Sequence, residues 1–328
     1  MDERLSLALA RGAVTLPEGP VLLLRPPADL SFDELPLEAC TGTHGFRPAH
    51  DALAARGLAM ADAPEGPFAA AVVFVPRARA LALDLLAQAI GAVGVGGLVV
   101  VDGAKADGIE AILKAVRAAA PVGEVMSKAH GKVFAFAAPD AVPEGWAAQP
   151  RQVDGFVTAP GVFSADGIDP GSALLAAHLT ALKGRVCDLG AGWGYLGRTV
   201  LASEAVTALD LVEAERAALD CARLNVTDPR AAFHWADATV WTGGAYDTVI
   251  SNPPFHASRR ADPDLGRAFV SAAARLMAPS GRFLMVANRH LPYEAALEDA
   301  FAERLVIEER DGYKVVQGRK PRRAGRTR

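Results

Sequence analysis

The sequence has few cysteines and no long apolar runs. Its three cysteines, Cys40, Cys187 and Cys221, occur without any CxxC or Cys/His spacing, which argues against a disulfide framework and against structural zinc. No apolar run reaches the roughly 20 residues that span a bilayer. Residues 1–11 contain acidic side chains and lack the apolar core of a secretion signal. These absences predict a cytoplasmic protein with no bound metal and no membrane partner.

An overall excess of positive charge is also missing. The net charge is −4, which argues against a general nucleic-acid coat protein, because such a protein would carry a basic field. The charge is unevenly placed, since six of the last eleven residues are basic. We predict that residues 319–328 form a disordered basic tail. This tail is either a solvated terminus or an arm that binds phosphate.

The second half of the chain alternates apolar strands with amphipathic helices. Its candidate strands are residues 185–189, 205–212, 231–235, 246–250, 281–287, 304–309 and 313–317. Such strands imply a mostly parallel, doubly wound α/β sheet covered by helices on both faces. Asp311-Gly312 joins the last two strands as a hairpin turn, so the sheet is expected to end in an antiparallel strand.

The first half of the chain resembles a degenerate copy of the second half, with the corresponding segments in the same order. Residues 71–76, 96–103 and 130–136 correspond to residues 248–254, 280–288 and 311–318. A tandem duplication is therefore predicted, with a degenerate domain at 1–145 and a second domain at 146–318. The first copy has no glycine in residues 22–30 and carries Val75-Pro76-Arg77 where the second has Asn252-Pro253-Pro254.

A glycine cluster follows the first strand of the second half. Gly190, Gly192 and Gly194 allow the backbone to approach a ligand closely and offer amide donors at a helix N-terminus. Gly192, Gly194 and Gly197 also match the G-x-G-x-x-G pattern of dinucleotide sites, which is weak evidence by itself.

Acidic residues lie at or near the ends of the next two strands. Glu213 is favoured as the acceptor for ribose hydroxyls. Asp210 is its rival, but it lies within the strand and is expected to face the other side of the sheet. Asp237 is placed to accept from an adenine amine, or is a solvated loop residue.

The segment Asn252-Pro253-Pro254-Phe255 follows the fourth strand, at the sheet edge where open α/β folds bind ligands. The Asn252 side-chain oxygen and the Pro253 carbonyl can both accept from one planar NH₂ group. Two acceptors draw its nitrogen towards tetrahedral geometry and aim the lone pair at an electrophile. Phe255 offers a face on which a base can stack.

With these motifs in place, the chain resembles class I S-adenosylmethionine-dependent methyltransferases. More closely, it is similar to the bacterial ribosomal RNA guanine-N2 methyltransferases with two tandem domains. The resemblance rests on residues 160–175, 188–194, 249–256 and 286–294. It implies two Rossmann-like domains, the N-terminal one degenerate and serving to position RNA or to stabilise the protein.

By the same resemblance, the expected reaction methylates the N2 amine of a guanine in ribosomal RNA, with small-subunit RNA or the ribosomal subunit as partner and a monomeric enzyme. Asn252, Pro253 and Phe255 would engage the base. The residues implied at the cofactor, some of which also touch the base, are Phe163, Asp169, Asp188, Gly190, Gly192, Gly194, Glu213, Asp237 and Asn252. Ser164 lies in the same segment as Phe163 and Asp169.

Several alternatives remain open from the residues alone. A large-subunit guanine, an adenine N6 amine or a glutamine amide would suit the same Asn-Pro-Pro chemistry. A nicotinamide-dependent oxidoreductase would use the glycine pattern, and a non-catalytic RNA-binding protein would need neither motif. His256, Arg289 and His290 either line an RNA entrance or have structural roles, and Trp193 has no explanation from the sequence.

Overall fold

The computed structural model describes residues 4–254, 263–290 and 293–322. The chain divides into two compact units, Met1–Pro150 and Arg151–Arg328. Within the described ranges, every helix is too short or too polar to cross a bilayer.

The first unit contains one seven-stranded sheet with helices between its strands. Its strands are β1 (Val21–Leu24), β2 (Cys40–Thr43), β3 (Ala59–Ala61), β4 (Ala70–Phe74), β5 (Leu98–Ala104), β6 (Val122–Lys128) and β7 (Gly131–Ala137). Its helices are α1 (Arg4–Ala10), α2 (Arg47–Ala55), α3 (Arg79–Val93) and α4 (Ile109–Ala119).

The second unit begins with a short hairpin and continues into a second seven-stranded sheet. Its strands are β8 (Arg151–Val153), β9 (Phe156–Thr158), β10 (Gly184–Leu189), β11 (Val206–Glu213), β12 (Ala231–Trp235), β13 (Tyr246–Ser251), β14 (Met277–Asn288), β15 (Phe301–Arg310) and β16 (Tyr313–Pro321). Its helices are α5 (Pro170–Ala176), α6 (Tyr195–Val200), α7 (Arg216–Asn225), α8 (Pro263–Leu276) and α9 (Glu294–Ala300).

The two sheets have the same strand order. It runs β3-β2-β1-β4-β5-β7-β6 in the first unit and β12-β11-β10-β13-β14-β16-β15 in the second. In the second unit, β10 to β14 pair in parallel, whereas β16 pairs antiparallel with both β14 and β15. The predicted fold class, with its antiparallel terminal strand, is confirmed.

The second sheet is covered on both faces because its central strands are apolar on both sides. Cys187, Leu189 and Val249 belong to the apolar cluster that includes residues of α8 and α9. Val186 and Ile250 belong to the cluster that includes residues of α5, α6 and α7. This packing fixes the carboxyl ends of β10 and β13, which are neighbours at the point where the strand order reverses, and ligands of open α/β sheets bind there.

The same backbone turn leaves the first central strand in both units. Gly190 has φ +76°, and its N–H donates to the Val212 carbonyl at 2.9 Å. Arg25 has φ +56°, and its N–H donates to the Thr43 carbonyl at 2.8 Å. The first unit therefore keeps the left-handed turn with a large side chain, although this conformation favours glycine.

Two predicted boundaries differ from the structure. Trp146 is buried in the apolar cluster of the first unit, and the Ala148 N–H donates to Asp84 at 2.7 Å, so the first unit extends to residue 150 rather than 145. The predicted tail begins too early, because Arg319 and Pro321 still pair within the sheet. Arg319 has an exposed side chain, while the backbone of both residues continues the ladder to β15. Residues 323–328 lie outside the described residues.

Candidate active site

A cleft at the carboxyl ends of β10 and β13 brings several predicted site residues together. It contains about 380 Å³ of empty space, part of it open to solvent. Its lining residues come from the segment before α5 and the start of α5, from the glycine loop (residues 190–194) and the start of α6, and from the position after β13: Phe163, Ser164, Asp169, Ser172, Gly190, Ala191, Gly192, Trp193, Tyr195, Leu196 and Asn252.

The glycine loop needs its glycines for two separate reasons. Gly190, Gly192 and Gly194 all have positive φ, at 76°, 54° and 89°. A Cβ at Gly194 would lie 3.2 Å from Ala222, whereas a Cβ at Gly192 would meet no atom within 4 Å. Gly194 therefore serves helix packing as well as the turn. Gly192 leaves open space at the cleft, where a ligand can approach the backbone.

Asp188 is a buried carboxylate at the end of β10, beside the glycine loop. Its side chain is 0% exposed, and within the described part of the chain neither carboxylate oxygen has a partner. Burial, followed by the nearby charge of Glu213, raises the pKa of Asp188 to about 8. Buried polar groups are normally satisfied, so an unpaired carboxylate beside the glycine loop fits a site that accepts a cationic or hydrogen-bonding group.

Glu213 links the end of β11 to the glycine loop. Its Oε2 accepts from the Gly192 N–H at 2.8 Å and its Oε1 accepts from the Glu215 N–H at 2.7 Å. Burial raises the pKa of Glu213, although these backbone hydrogen bonds act in the opposite direction. Each carboxylate oxygen can accept more than one hydrogen bond, so Glu213 can still bind hydroxyl groups.

Asp210, the rival acid, lies on the opposite face of β11. Alternate residues of a strand face opposite sides, so Asp210 and Glu213, three positions apart, diverge. The His234 ring nitrogen Nε2 lies 2.6 Å from Asp210 Oδ1, and this hydrogen bond is the main cause that lowers the pKa of Asp210. Asp210 and His234 therefore form a structural pair, and His234 packs its ring against Trp241, with 4.4 Å between the ring centroids.

Asp237 follows β12, next to the end of β11. Its Oδ1 accepts from the Thr239 N–H at 2.8 Å and from the Thr239 hydroxyl at 2.6 Å. The Ala236 N–H donates to the Glu213 carbonyl at 3.1 Å, which holds this loop beside Glu213. Asp237 is only partly buried, so it retains acceptor capacity at the sheet edge.

Asn252 is held by two residues from the start of α5. Its Nδ2 donates to Asp169 Oδ2 at 2.9 Å and to Ser172 Oγ at 2.8 Å. The neighbouring Ser251 hydroxyl donates to the Leu189 carbonyl at 2.7 Å, which fixes the end of β13 against β10. Among the described residues, no hydrogen bond reaches Asn252 Oδ1.

The rest of the Asn-Pro-Pro-Phe segment is only partly described. Pro253 is buried and Pro254 is exposed. Phe255 and His256 lie outside the described residues. Arg289 follows β14, where its N–H donates to the Gly312 carbonyl at 2.8 Å.

Trp193 has a clear structural role that the sequence did not reveal. Its ring is 5% exposed and lies 5.0 Å, between ring centroids, from Phe156. The Trp193 indole N–H donates to the Phe163 carbonyl at 2.9 Å, and the Trp193 carbonyl accepts from Asn225 at 2.8 Å. Trp193 therefore ties the segment that contains Phe163 to the glycine loop, while the Phe163 side chain stays 60% exposed at the edge of the cleft.

Sequence reasoning missed Ser172, Tyr195 and Leu196 as residues of the cleft. A signal for Ser172 was present, because Asp169-Pro170 is a typical helix start, with a capping residue followed by proline at the first helical position. No arrangement of three or more His, Cys, Asp or Glu side chains in residues 4–254, 263–290 and 293–322 could hold a metal ion.

The family model described as "Methyltransferase small domain" matches residues 154–317. Two relatives named "Ribosomal RNA small subunit methyltransferase C" come from Pseudomonas paraeruginosa and Shewanella oneidensis. The first is 32% identical over 92% of this chain and 95% of its own length. The second is 30% identical over 74% of this chain and 75% of its own length.

A solved structure shares the fold across both units. It is the T. thermophilus 16S rRNA N2 G1207 methyltransferase (RsmC) in complex with AdoMet and guanosine. It is similar to this chain with a TM-score of 0.78 and 27% identity, over 94% of this chain and 90% of that one. The chain therefore belongs to the methyltransferase small domain family, together with the ribosomal RNA small subunit methyltransferase C proteins.

Proposed function

We propose that this protein transfers a methyl group from S-adenosylmethionine to the exocyclic N2 amine of a guanine in small-subunit ribosomal RNA. One observation carries the proposal: Asn252, whose Oδ1 receives no hydrogen bond from the described residues, lies in the same cleft as the glycine loop. The relatives that match over most of the chain act on small-subunit RNA by name, and the similar solved structure binds AdoMet and guanosine.

The donor site fits the residues that are present. Gly192 provides an open backbone surface, since a Cβ at this position would meet no atom of the described residues within 4 Å, and Asp188 provides a buried carboxylate that has no hydrogen-bond partner among them. Glu213 would accept from ribose hydroxyls and Asp237 from the adenine amine. Phe163 and Asp169 would border the donor from the other side of the cleft. The bound donor supplies a methyl group activated by a positively charged sulfur.

The acceptor site would control the geometry of a weak nucleophile. The guanine amine is conjugated with its ring, so its lone pair is not free. Asn252 Oδ1 and the Pro253 carbonyl would accept its two hydrogens, which orients the lone pair for in-line displacement. Phe255 would stack against the base after it has left its helix or while it is unpaired. The amine becomes acidic once it is methylated, so its proton can leave to solvent without a strong protein base.

The direct test is mass spectrometry of ribosomal RNA nucleosides from cells with and without this protein. We expect the deletion strain to lose one N2-methylguanosine from small-subunit RNA, and the intact gene to restore it. Unchanged N2-methylguanosine would contradict the proposal. Loss of an N6-methyladenosine, or of a large-subunit modification, would assign the same site to a different acceptor.

The first unit is proposed to be a degenerate methyltransferase-like domain that positions RNA or stabilises the enzyme. It keeps the strand order and the turn after β1, with Arg25 in place of glycine. After β4 it carries Arg77, which is exposed, in place of the Asn-Pro-Pro segment. The exposed Arg77 suits a polyanion better than a neutral ligand.

Removing residues 1–150 tests this division of roles. We expect the remaining unit to bind S-adenosylmethionine normally, because every proposed donor contact lies after residue 151. Its affinity for ribosomal RNA should fall by about 10-fold or more, as loss of a few phosphate contacts implies. Filter binding and calorimetry give the two affinities, and full activity on RNA would contradict an RNA-positioning role.

A further inference from the structure

We propose that Asp169 and Ser172 are positioning residues that lock the Asn252 amide so that its oxygen, and not its nitrogen, faces the acceptor amine. The inference rests on the proposed function, because it assigns a purpose to that orientation. It adds Ser172 to the reaction and gives Asp169 a role distinct from contact with the donor.

The chemistry of Asp169 fixes which end of the amide faces the two partners. A carboxylate oxygen only accepts hydrogen bonds, so the Asn252 atom 2.9 Å from Asp169 Oδ2 is the nitrogen. That nitrogen has two hydrogens, and the second reaches Ser172 Oγ at 2.8 Å. Both amide hydrogens are thereby used inside the protein. The oxygen is left as the group available to the cleft.

The opposite orientation of the amide would fail on both sides. Its oxygen would face the oxygen of Asp169, and the hydrogens of its nitrogen would point at the hydrogens of the acceptor amine. Neither contact is a hydrogen bond, so these partly buried groups would lose their partners. The Ser172 hydroxyl can donate as well as accept, so Asp169 selects the orientation, and Ser172 adds a second hydrogen bond that restrains the amide in it.

The start of α5 is built to hold these two partners still. Asp169 caps the helix, and its Oδ2 also accepts from the Ser172 N–H at 2.7 Å. Pro170 occupies the first helical position, where a missing N–H costs nothing. A Cβ at Gly171 would lie 2.9 Å from the Tyr313 ring and 3.0 Å from Asp169 Oδ2. The sequence Asp169-Pro170-Gly171-Ser172 therefore packs closely, and Ser172 is only 9% exposed.

Ser172→Ala is the informative variant, because it removes one acceptor and leaves the Asp169 cap in place. We expect kcat on ribosomal RNA to fall about 10-fold, the effect of one lost hydrogen bond, with the S-adenosylmethionine affinity unchanged. Ser172→Thr keeps the hydroxyl and should retain most of kcat. Ser203→Ala is the matched control, since it deletes a hydroxyl bonded to the Leu182 carbonyl and should leave kcat unchanged.

A double-mutant cycle separates positioning from a general structural effect. In an Asn252→Ala background, Ser172→Ala should cause no further fall in single-turnover rate, because the amide that it orients is gone. An equal fall in both backgrounds, or a loss of S-adenosylmethionine affinity, would overturn the inference.

A measurement without substrate keeps this inference separate from the proposed function. Both side-chain NH₂ protons of Asn252 should exchange slowly with solvent in nuclear magnetic resonance spectra, and Ser172→Ala should accelerate the exchange. Rapid exchange in the unchanged protein would overturn the lock. Slow exchange in a protein that fails to methylate guanine would leave the lock standing and reject the proposed reaction.

Discussion

Asn252→Ala is expected to lower kcat on ribosomal RNA by about 100- to 1,000-fold, the range for removing one oriented hydrogen-bonding group from a site where charge develops. The change deletes the Oδ1 acceptor and leaves Asp188, Gly192 and Glu213, the main proposed contacts of the donor, in place. We therefore expect the S-adenosylmethionine affinity, measured by calorimetry, to stay within about threefold. Single-turnover assays with radiolabelled donor would measure the remaining rate.

Asn252→Asp tests whether an oxygen acceptor at this position is sufficient, or whether the acceptor must also be held in a fixed orientation. Asp at this position keeps oxygens that can face the cleft, but it cannot donate to Asp169 and Ser172. It would place a second carboxylate within hydrogen-bond distance of Asp169, where like charges repel. We expect activity close to that of Asn252→Ala. Turnover near the unchanged level in either variant would remove the basis of the proposed mechanism.

The arrangement of strands was largely predictable because the second half alternates apolar and amphipathic segments. The strand predicted at 231–235 is β12, and the hairpin predicted at Asp311-Gly312 joins β15 to β16. Both turn residues have positive φ, at 52° and 83°, as the Asp-Gly pair indicates. The position of Asn252 at a strand end beside the glycines followed from the same pattern.

The partners of Asn252 were not predictable from the residues around it. Asp169 and Ser172 precede it by 83 and 80 residues, and local periodicity says nothing about such distant pairs. The same holds for Trp193, whose indole N–H reaches the Phe163 carbonyl 30 residues earlier. The predicted domain boundary at residue 145 was wrong for a similar reason, because the burial of Trp146 in the first unit depends on tertiary packing.

Asp188→Asn is expected to stabilise the protein without ligand at high pH. Folding raises the pKa of Asp188 to about 8, whereas the pKa of an aspartate in an unfolded chain is about 3.9. The folded chain therefore retains a proton that the unfolded chain releases. This contribution to stability is complete below about pH 4 and declines up to about pH 8. Asparagine has no such loss, so the variant should gain on the order of 5 kcal/mol at pH 9 relative to pH 4.

The same substitution should weaken binding of S-adenosylmethionine. Asp188 would then lower the stability of the folded protein without ligand and contribute to the affinity for the donor. An ionised Asp188 would balance the positive charge of S-adenosylmethionine, and removing one partner of a buried charge pair costs affinity of about 100-fold. The unchanged protein should bind the donor more tightly as pH rises towards 8, because the carboxylate ionises in that range. Asp188→Asn should lose this pH dependence.

Asp220→Asn is the matched control, since Asp220 is an exposed partner of Arg223 on α7. Thermal unfolding and calorimetry at pH 5, 7 and 9 measure both effects. Lower stability of Asp188→Asn at pH 9 would contradict the raised pKa of Asp188, and unchanged affinity for the donor would show that this carboxylate does not face the donor.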